Sequence, residues 1–211
     1  MLHVVDDLEE TAAVAAAVDF LASRPEIDAS RVGALGICAS AGYVASVAAD
    51  HPAVTRLALV APWLHDAALA AAVYGGSEGG AALRSAAAAP CVRVAASTED
   101  ESAPMFGAPY YPEPDRGLID AYDNRFERAT WEPWLTYDAL ASADRLGAPT
   151  LVVGSEAMAL PAGAHAYAAR TNAPTRERWL EEVTQFDFYD RQDVVLQAAD
   201  AAAAHLGGVA S

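Results

Sequence analysis

The chain has 211 residues, a formal net charge of −16, 54% hydrophobic residues and 20% charged residues. These values are typical of one globular domain over residues 1–211, and they exclude an intrinsically disordered chain. The acidic surface argues against nucleic acid and anionic membrane as partners, since both repel negative charge. Two cysteines do not make a disulfide framework, so we expect a reducing, cytoplasmic location.

Targeting, metal-binding and nucleotide-binding signals are missing from the sequence. The N-terminal residues lack the basic and apolar regions of a signal peptide, and no apolar run is long enough for a bilayer. The five histidines and two cysteines do not have metal-ligand spacing. The glycines around Gly36 lack the spacing of a dinucleotide-binding loop. We therefore expect no metal and no cofactor.

Apolar periodicity predicts alternating helices and strands in the first third of the chain. A helix is predicted from Asp6 or Asp7 to Ser23, and a buried strand over Val32–Ile37. A second helix is predicted over Ala41–Ala49, followed by a second buried strand over Thr55–Pro62.

The same alternation returns near the C-terminus. Strands are predicted over Leu151–Gly154 and Arg178–Leu180, and helices over about Ala162–Ala169 and Asp193–Leu206. Strands that alternate with helices indicate an α/β domain with a parallel sheet covered on both faces.

Residues 66–148 interrupt this alternation, and we interpret them as an insertion that forms a cap over a substrate pocket. The sequence WEPWLTYDALASADRL, residues 131–146, predicts a helix that leads into the third strand. Aromatic side chains of the chain are candidates to line a pocket for a flat or apolar acyl group, or to form the core of the cap. They are Trp63, Phe106, Tyr110, Tyr111, Trp131 and Trp134.

The turn between the first strand and the second helix is a candidate for a nucleophile. Gly36, Cys38 and Ser40 stand at alternate positions among small residues, which suits a crowded strand-to-helix turn. Two registers are open, one with Cys38 and one with Ser40 at the attacking position. We favour Cys38, because the strand ends at Gly36 and a helix N-terminus stabilises a thiolate. Cys38 as a small buried hydrophobic residue is the alternative.

This turn resembles the nucleophile elbow of the α/β-hydrolase superfamily and is similar in particular to the dienelactone-hydrolase and YcjY-like branch. The blocks APWLHD, VYGGSEGG, YDNRF, WEPWLTYDAL, PTLVVGSEA and TQFDFYD are similar to later blocks of that branch, in the same order. The resemblance covers nearly the whole chain from about Val18. It implies a truncated α/β-hydrolase-like parallel sheet flanked by helices, with a cap insertion.

The catalytic triad that the resemblance implies is nucleophile, acid and histidine, in chain order. The block that holds the acid offers Glu156. The block that holds the histidine has Gln185 instead, and an amide cannot act as a general base near neutral pH. His65, with Asp66 beside it, is the nearest substitute, because it follows the strand next to the elbow strand.

The resemblance also implies that early strands of the family are missing from this sequence. The backbone N–H of Ala39 would be one oxyanion donor, and the loop that supplies the second donor is not in the sequence. The elbow strand would become an apolar sheet edge, so we expect a homodimer that covers it. A fragment of a longer chain is the alternative.

The activity that we expect is acyl transfer from an ester or thioester through an acyl-Cys38 intermediate, in natural-product biosynthesis. The small acyl substrate would be free or carried as a thioester on a carrier protein. Truncated proteins of this kind occur as acyl transferases in natural-product pathways, and the chain resembles one of them, the thiopeptide (nosiheptide) indolyl-S-transferase. Residues expected to contact the substrate are Ala39, Ser40, Trp63, Trp131, Trp134 and Gln185. One alternative is an ester or lactone hydrolase with Cys38, His65 and an acid; another is an inactive binding or assembly protein.

Overall fold

The structure is a computed structural model that describes residues 7–85 and 90–208. Within these residues the chain forms eight α-helices and eight strands, together with short 3-10 turns. The helices are α1 (Asp7–Ser23), α2 (Ser40–Asp50), α3 (Ala67–Val73), α4 (Gly76–Arg84), α5 (Trp131–Thr136), α6 (Pro161–Arg170), α7 (Asp187–Asp190) and α8 (Gln192–Leu206). The strands are β1 (Val32–Ile37), β2 (Val54–Val60), β3 (Cys91–Arg93), β4 (Ala95–Ala96), β5 (Met105–Phe106), β6 (Arg125–Glu127), β7 (Thr150–Gly154) and β8 (Thr175–Trp179).

The described residues form two compact units. The sheet unit contains residues 7–66 and 138–208, and the insertion unit contains residues 67–137. The insertion unit is shorter than the predicted insertion of 66–148, because residues 138–148 pack with the sheet unit.

The sheet unit is built on a four-stranded sheet in the order β1-β2-β7-β8. All three strand pairs are parallel, with Ile37 beside Val60 and Val60 beside Val153. The carboxyl ends of the strands therefore meet at one edge, where ligands bind in open α/β sheets. The predicted α/β fold with a parallel sheet is confirmed.

Helices cover both faces of this sheet, as two glycines of β1 show. A Cβ at Gly33 would meet Leu206 of α8, whereas a Cβ at Gly36 would meet Ala41 of α2. Positions three apart in a strand point to opposite faces, so α2 and α8 lie on opposite faces. On its face, α2 contacts α1 and the 3-10 turn Ala139–Arg145, which in turn contacts α6.

Strand β1 lies at the edge of the sheet. Within the part of the chain that the structure describes, it pairs with β2 alone. Its side chains Leu35 and Ile37 are 45% and 43% exposed, whereas every residue of β7 is buried. This apolar exposure is unusual, since strands of parallel sheets are normally covered on both faces.

The insertion unit has a small core of its own. Trp131, Leu135 and Ala70 are buried there, and Tyr74 and Phe126 pack against them. The prediction of one helix over 131–146 is wrong. Helix α5 ends at Thr136, and a 3-10 turn follows in the sheet unit, where the side chain of Asp138 accepts a hydrogen bond from the N–H of Ala141. Extended backbone at Tyr137 separates the two.

No helix among residues 7–85 and 90–208 has the length and apolar character needed to cross a membrane.

Candidate active site

A tight turn places Cys38 at the carboxyl end of β1, immediately before α2. The backbone of Cys38 has φ of 54°, in the left-handed region that residues other than glycine rarely adopt. Gly36 makes the turn possible, because a Cβ there would lie 2.6 Å from the Cα of Ala41. Backbone strain of this kind concentrates at functional sites, which supports a functional role for Cys38.

Hydrogen bonds hold this turn in place. The hydroxyl of Ser40 accepts the N–H of Ile37 (3.0 Å between N and Oγ) and donates to the carbonyl of the same residue (2.8 Å). The N–H of Trp63 donates to the carbonyl of Cys38 at 2.9 Å. The Ser40 hydroxyl therefore stabilises the turn. This use of Ser40 favours the register with Cys38 at the attacking position.

The Cys38 thiol is partly buried, and the Tyr189 hydroxyl, the Ala39 N–H and the Gln185 amide lie near it. Burial raises the pKa of the thiol above its ordinary value, while hydrogen bonds from the Tyr189 hydroxyl, the Ala39 N–H and the Gln185 amide act in the opposite direction. The raised pKa keeps the thiol protonated at neutral pH. When the thiolate forms, the same three donors stabilise its charge.

Gln185 lies buried at the position where the resemblance implies a histidine, and its whole amide group is hydrogen-bonded. Its Nε2 donates to the carbonyl of Ala61 at 3.0 Å and to the hydroxyl of Tyr189 at 2.7 Å. Its Oε1 accepts the N–H of Ala159 at 3.1 Å. A carbonyl can only accept and an N–H can only donate, so these backbone partners fix the orientation of the amide.

Tyr189 is a site residue that the sequence analysis did not identify. It lies on the short helix α7 and contacts both Cys38 and Gln185. Gln185 precedes this helix, so helical spacing does not relate it to Tyr189. Nothing local in the sequence indicates that this helix faces the turn at Cys38.

His65 is buried close to the end of β2, and its ring is bonded to Trp63. The indole Nε1 of Trp63 donates to His65 Nδ1 at 2.9 Å, and the His65 carbonyl accepts the N–H of Ala139. Asp66 lies partly buried directly after His65.

Glu156 lies on the surface after β7, with its side chain 73% exposed. Its Oε1 pairs with His165 Nε2 at 2.8 Å, and the His165 ring stacks on Trp179 at 4.1 Å between ring centroids. The structure therefore joins Glu156 to His165 rather than to His65.

Two of the three tryptophans predicted to line a pocket, Trp131 and Trp134, belong to the insertion unit. Trp131 is buried there and packs its ring against Tyr74 and Phe126, with centroids 5.4 and 4.8 Å apart. Trp134 donates from Nε1 to the hydroxyl of Tyr74 at 3.1 Å. For Trp131 and Trp134, these contacts support the alternative that the aromatic residues form the core of the insertion.

No group of three or more histidine, cysteine, aspartate or glutamate side chains able to hold a metal ion occurs within residues 7–85 and 90–208.

Solved structures show which fold this chain has. No protein-family model and no curated protein sequence matches it. The hypothetical protein PA2218 from Pseudomonas aeruginosa is 18% identical with a TM-score of 0.71, and the match covers 96% of this chain and 69% of that one. The α/β hydrolase GrgF from Penicillium sp. sh18 is 17% identical with a TM-score of 0.68, covering 96% and 73%.

A structure reported for the metagenome-derived lipolytic enzymes LipS and LipT is 14% identical with a TM-score of 0.64, covering 95% of this chain and 75% of that one. At these identities the likeness shows the fold. The chain has the α/β-hydrolase fold, with its four described parallel strands as the central sheet.

Proposed function

We propose that the chain cleaves activated acyl esters, either carboxylic esters or thioesters, through an acyl-Cys38 intermediate that water then hydrolyses. The observation that carries this proposal is Cys38 itself, in a left-handed turn at the end of β1 with the Ala39 N–H and the polar side chains of Tyr189 and Gln185 near its sulfur. The fold adds support, since lipolytic enzymes are among the proteins that share it.

Substrates with good leaving groups suit this site, in which the N–H of Ala39 is the oxyanion donor that we identify. The sulfur of Cys38 attacks the acyl carbon, and the N–H of Ala39, first in the chain after the nucleophile, donates to the oxyanion. Loss of one oxyanion donor from a complete pair slows catalysis by about 10²–10³. Thioesters and aryl esters depend least on a second oxyanion donor, because their leaving groups depart readily.

Gln185 favours a second candidate, in which the acyl group passes from Cys38 to another thiol or an amine. The amide of Gln185 cannot accept a proton from water near neutral pH. A thiol or amine acceptor is a better nucleophile than water and needs less activation. In this version the acyl group arrives as a thioester, free or on a carrier protein.

The test measures release of p-nitrophenol from p-nitrophenyl acetate and butyrate by stopped flow. We expect a burst of about one equivalent per chain, followed by slower turnover, as an accumulating acyl-enzyme gives. Cys38→Ala should abolish the burst. Cys91→Ala is the matched control, because Cys91 is the other cysteine and lies in β3 of the insertion unit, so its burst should remain. An unchanged burst in Cys38→Ala would overturn the proposal.

We also propose that two copies of the chain associate through β1. The strand Val32–Ile37 carries no charged side chain, so the net charge of −16 does not act locally against pairing. A two-fold axis beside β1 would pair the strand with its own copy in antiparallel register. The pairing would satisfy the backbone groups of the edge and shield Leu35 and Ile37 from water.

A further inference from the structure

We infer that Trp63 is the specificity-determining residue of the Cys38 site, a fixed aromatic wall that selects acyl groups with an aromatic ring, and that His65 is the positioning residue that holds it. The inference rests on the proposed function and names the class of acyl group that the site takes. It is drawn from the hydrogen bonds of residues 61–65, the segment that follows β2.

Trp63 is bonded directly to the turn that carries the nucleophile. Its backbone N–H donates to the carbonyl of Cys38 at 2.9 Å, so the two residues are neighbours at the carboxyl ends of β1 and β2. Ligands of open α/β sheets bind at this edge. Trp63 is partly exposed there, whereas the next residue, Leu64, is fully buried. The exposed part of the indole is therefore available to contact the acyl group of a substrate.

The indole of Trp63 has a fixed orientation. Its Nε1 donates to Nδ1 of His65 at 2.9 Å, and the two rings meet edge to face with their centroids 6.3 Å apart. His65 is only 1% exposed, and its carbonyl accepts the N–H of Ala139 at 2.8 Å. A buried and anchored imidazole thus holds the indole in place. A wall that is already ordered loses little conformational entropy when a ligand packs against it.

The same hydrogen bond determines what His65 can do. An indole N–H can only donate, so Nδ1 of His65 is the acceptor and Nε2 carries the ring proton. A neutral imidazole has one basic lone pair, and the indole of Trp63 occupies it. His65 therefore cannot take the proton of the Cys38 thiol while this hydrogen bond is in place, and its role is to position Trp63.

The chain on the other side of Trp63 is held as firmly. Ala61 has a φ of 42°, in the left-handed region. Its carbonyl accepts a hydrogen bond from Gln185 Nε2 at 3.0 Å, and its N–H donates to the carbonyl of Val153 at 2.8 Å. Strained backbone that its surroundings hold in this way is concentrated at functional sites. Residues 61–65 therefore form a preorganised wall beside Cys38.

A fixed indole favours acyl groups that contain an aromatic ring. Two aromatic rings attract each other, in offset or edge-to-face arrangements, beyond the effect of the area that they bury. A saturated chain has no such attraction, and it loses rotational freedom when it is held against a wall. We therefore expect Trp63 to favour benzoyl over heptanoyl, an acyl group with the same number of carbon atoms.

The test compares acylation of Cys38 by p-nitrophenyl benzoate and p-nitrophenyl heptanoate, which release the same leaving group. The burst rates of the two esters give a benzoyl-to-heptanoyl ratio for each variant. Trp63→Leu should lower this ratio about 3- to 10-fold relative to wild type, the size of one aromatic pair. An unchanged ratio would overturn the assignment of Trp63.

Trp179→Leu is the matched control. Trp179 ends β8 of the same sheet, its Nε1 donates to Glu177 at 2.9 Å, and its ring stacks on His165. The control therefore removes a tryptophan that is also hydrogen-bonded and packed on a histidine, and the ratio should stay that of wild type. A fall as large as that of Trp63→Leu would contradict a specific role for Trp63.

Two variants of His65 separate positioning from catalysis. In His65→Asn the amide Oδ1 is attached to Cγ, as Nδ1 is in histidine, so it can still accept the indole N–H. This variant should keep the benzoyl-to-heptanoyl ratio, and His65→Leu should lower it as far as Trp63→Leu does. A ratio that His65→Leu leaves unchanged would overturn the positioning role. So would a loss of about 100-fold or more with both esters in His65→Asn, which would make His65 a general base.

A second readout does not depend on acyl transfer. Nitrogen NMR of the His65 ring identifies the nitrogen that carries the proton, and we expect it to be Nε2 in wild type. If wild type forms no acyl-enzyme with either ester, the proposed function fails together with the specificity role, and the ring signals alone decide the hydrogen bond. A proton on Nδ1 would overturn the hydrogen bond from which the inference is drawn.

Discussion

The close approach of α2 to β1 makes Gly36→Ala the sharpest test of the turn at Cys38. The new Cβ would lie 2.6 Å from the Cα of Ala41 and 3.1 Å from its nitrogen, where ordinary contacts are 3.4–4 Å. Both neighbours are backbone atoms, so the first turn of α2 must move away from the strand. Overpacking of this kind costs about 3 kcal/mol at the upper end of its range.

Part of this cost is offset, because alanine lowers the entropy of the unfolded chain by about 0.4–1 kcal/mol relative to glycine. The net loss is then about 2 kcal/mol, which lowers Tm by about 4–8 °C in a chain of this length. Urea unfolding followed by circular dichroism measures the free energy directly. Labelling of Cys38 by iodoacetamide should also change, since the elbow moves with α2.

Gly147→Ala is the matched control for this prediction. A Cβ at Gly147 has nothing within 4 Å, and its backbone is outside the left-handed region. The same substitution should therefore leave stability unchanged or raise it by about 0.4–1 kcal/mol. If Gly36→Ala proves as stable as Gly147→Ala, the tight strand-to-helix turn described above is not the structure of the protein.

Three further predictions concern the site and the sheet edge. Burial raises the pKa of Cys38 in the native state. Above about pH 8.5 the unfolded chain loses the thiol proton while the native state retains it. The free energy of unfolding should therefore fall as the pH rises past that value. Urea titrations at pH 7 and 10 should show a smaller fall in Cys38→Ala; an equal fall would contradict the raised pKa. Gln185→Ala should destabilise the protein by about 1–3 kcal/mol in the same assay, since it leaves the buried carbonyl of Ala61 unpaired. An unchanged midpoint would refute this. Ile37→Lys should dissociate the proposed dimer, which light scattering would detect as a halved molar mass. Leu196→Lys also replaces an exposed apolar side chain and should leave the dimer intact. A monomeric wild type would contradict the edge pairing.

The elements of the sheet unit could be predicted from the sequence because their signals are local. Runs of apolar residues predicted β1, β2 and β7. The first strand has its predicted bounds, Val32–Ile37. The turn at Cys38 could also be predicted from the sequence, because such a turn has room only for small residues at alternate positions. In β8 the charged residues Arg176, Glu177 and Arg178 weakened the pattern, since this strand lies at an exposed edge.

The contacts around the sulfur could not be predicted, because they join residues far apart in the chain. Tyr189 lies near Cys38 although β2, β7 and β8 stand between them in the chain. Glu156 was expected to serve in a triad, but His165 on α6 lies within reach and pairs with it at the surface. Propensity suggested one helix over 131–146, and the side chain of Asp138 starts a separate turn there instead.

The central claim is that Cys38 becomes acylated, and the most direct test is mass spectrometry of the intact protein after mixing with p-nitrophenyl butyrate or a butyryl thioester. We predict a single butyryl adduct on wild type, mapped to the peptide that contains Cys38, retained in Cys91→Ala and lost in Cys38→Ala. The lifetime of the adduct in water, compared with its lifetime after addition of a thiol or amine, separates hydrolysis from transfer. A wild-type protein that takes up no acyl group, or that takes it up equally in Cys38→Ala, would contradict the account.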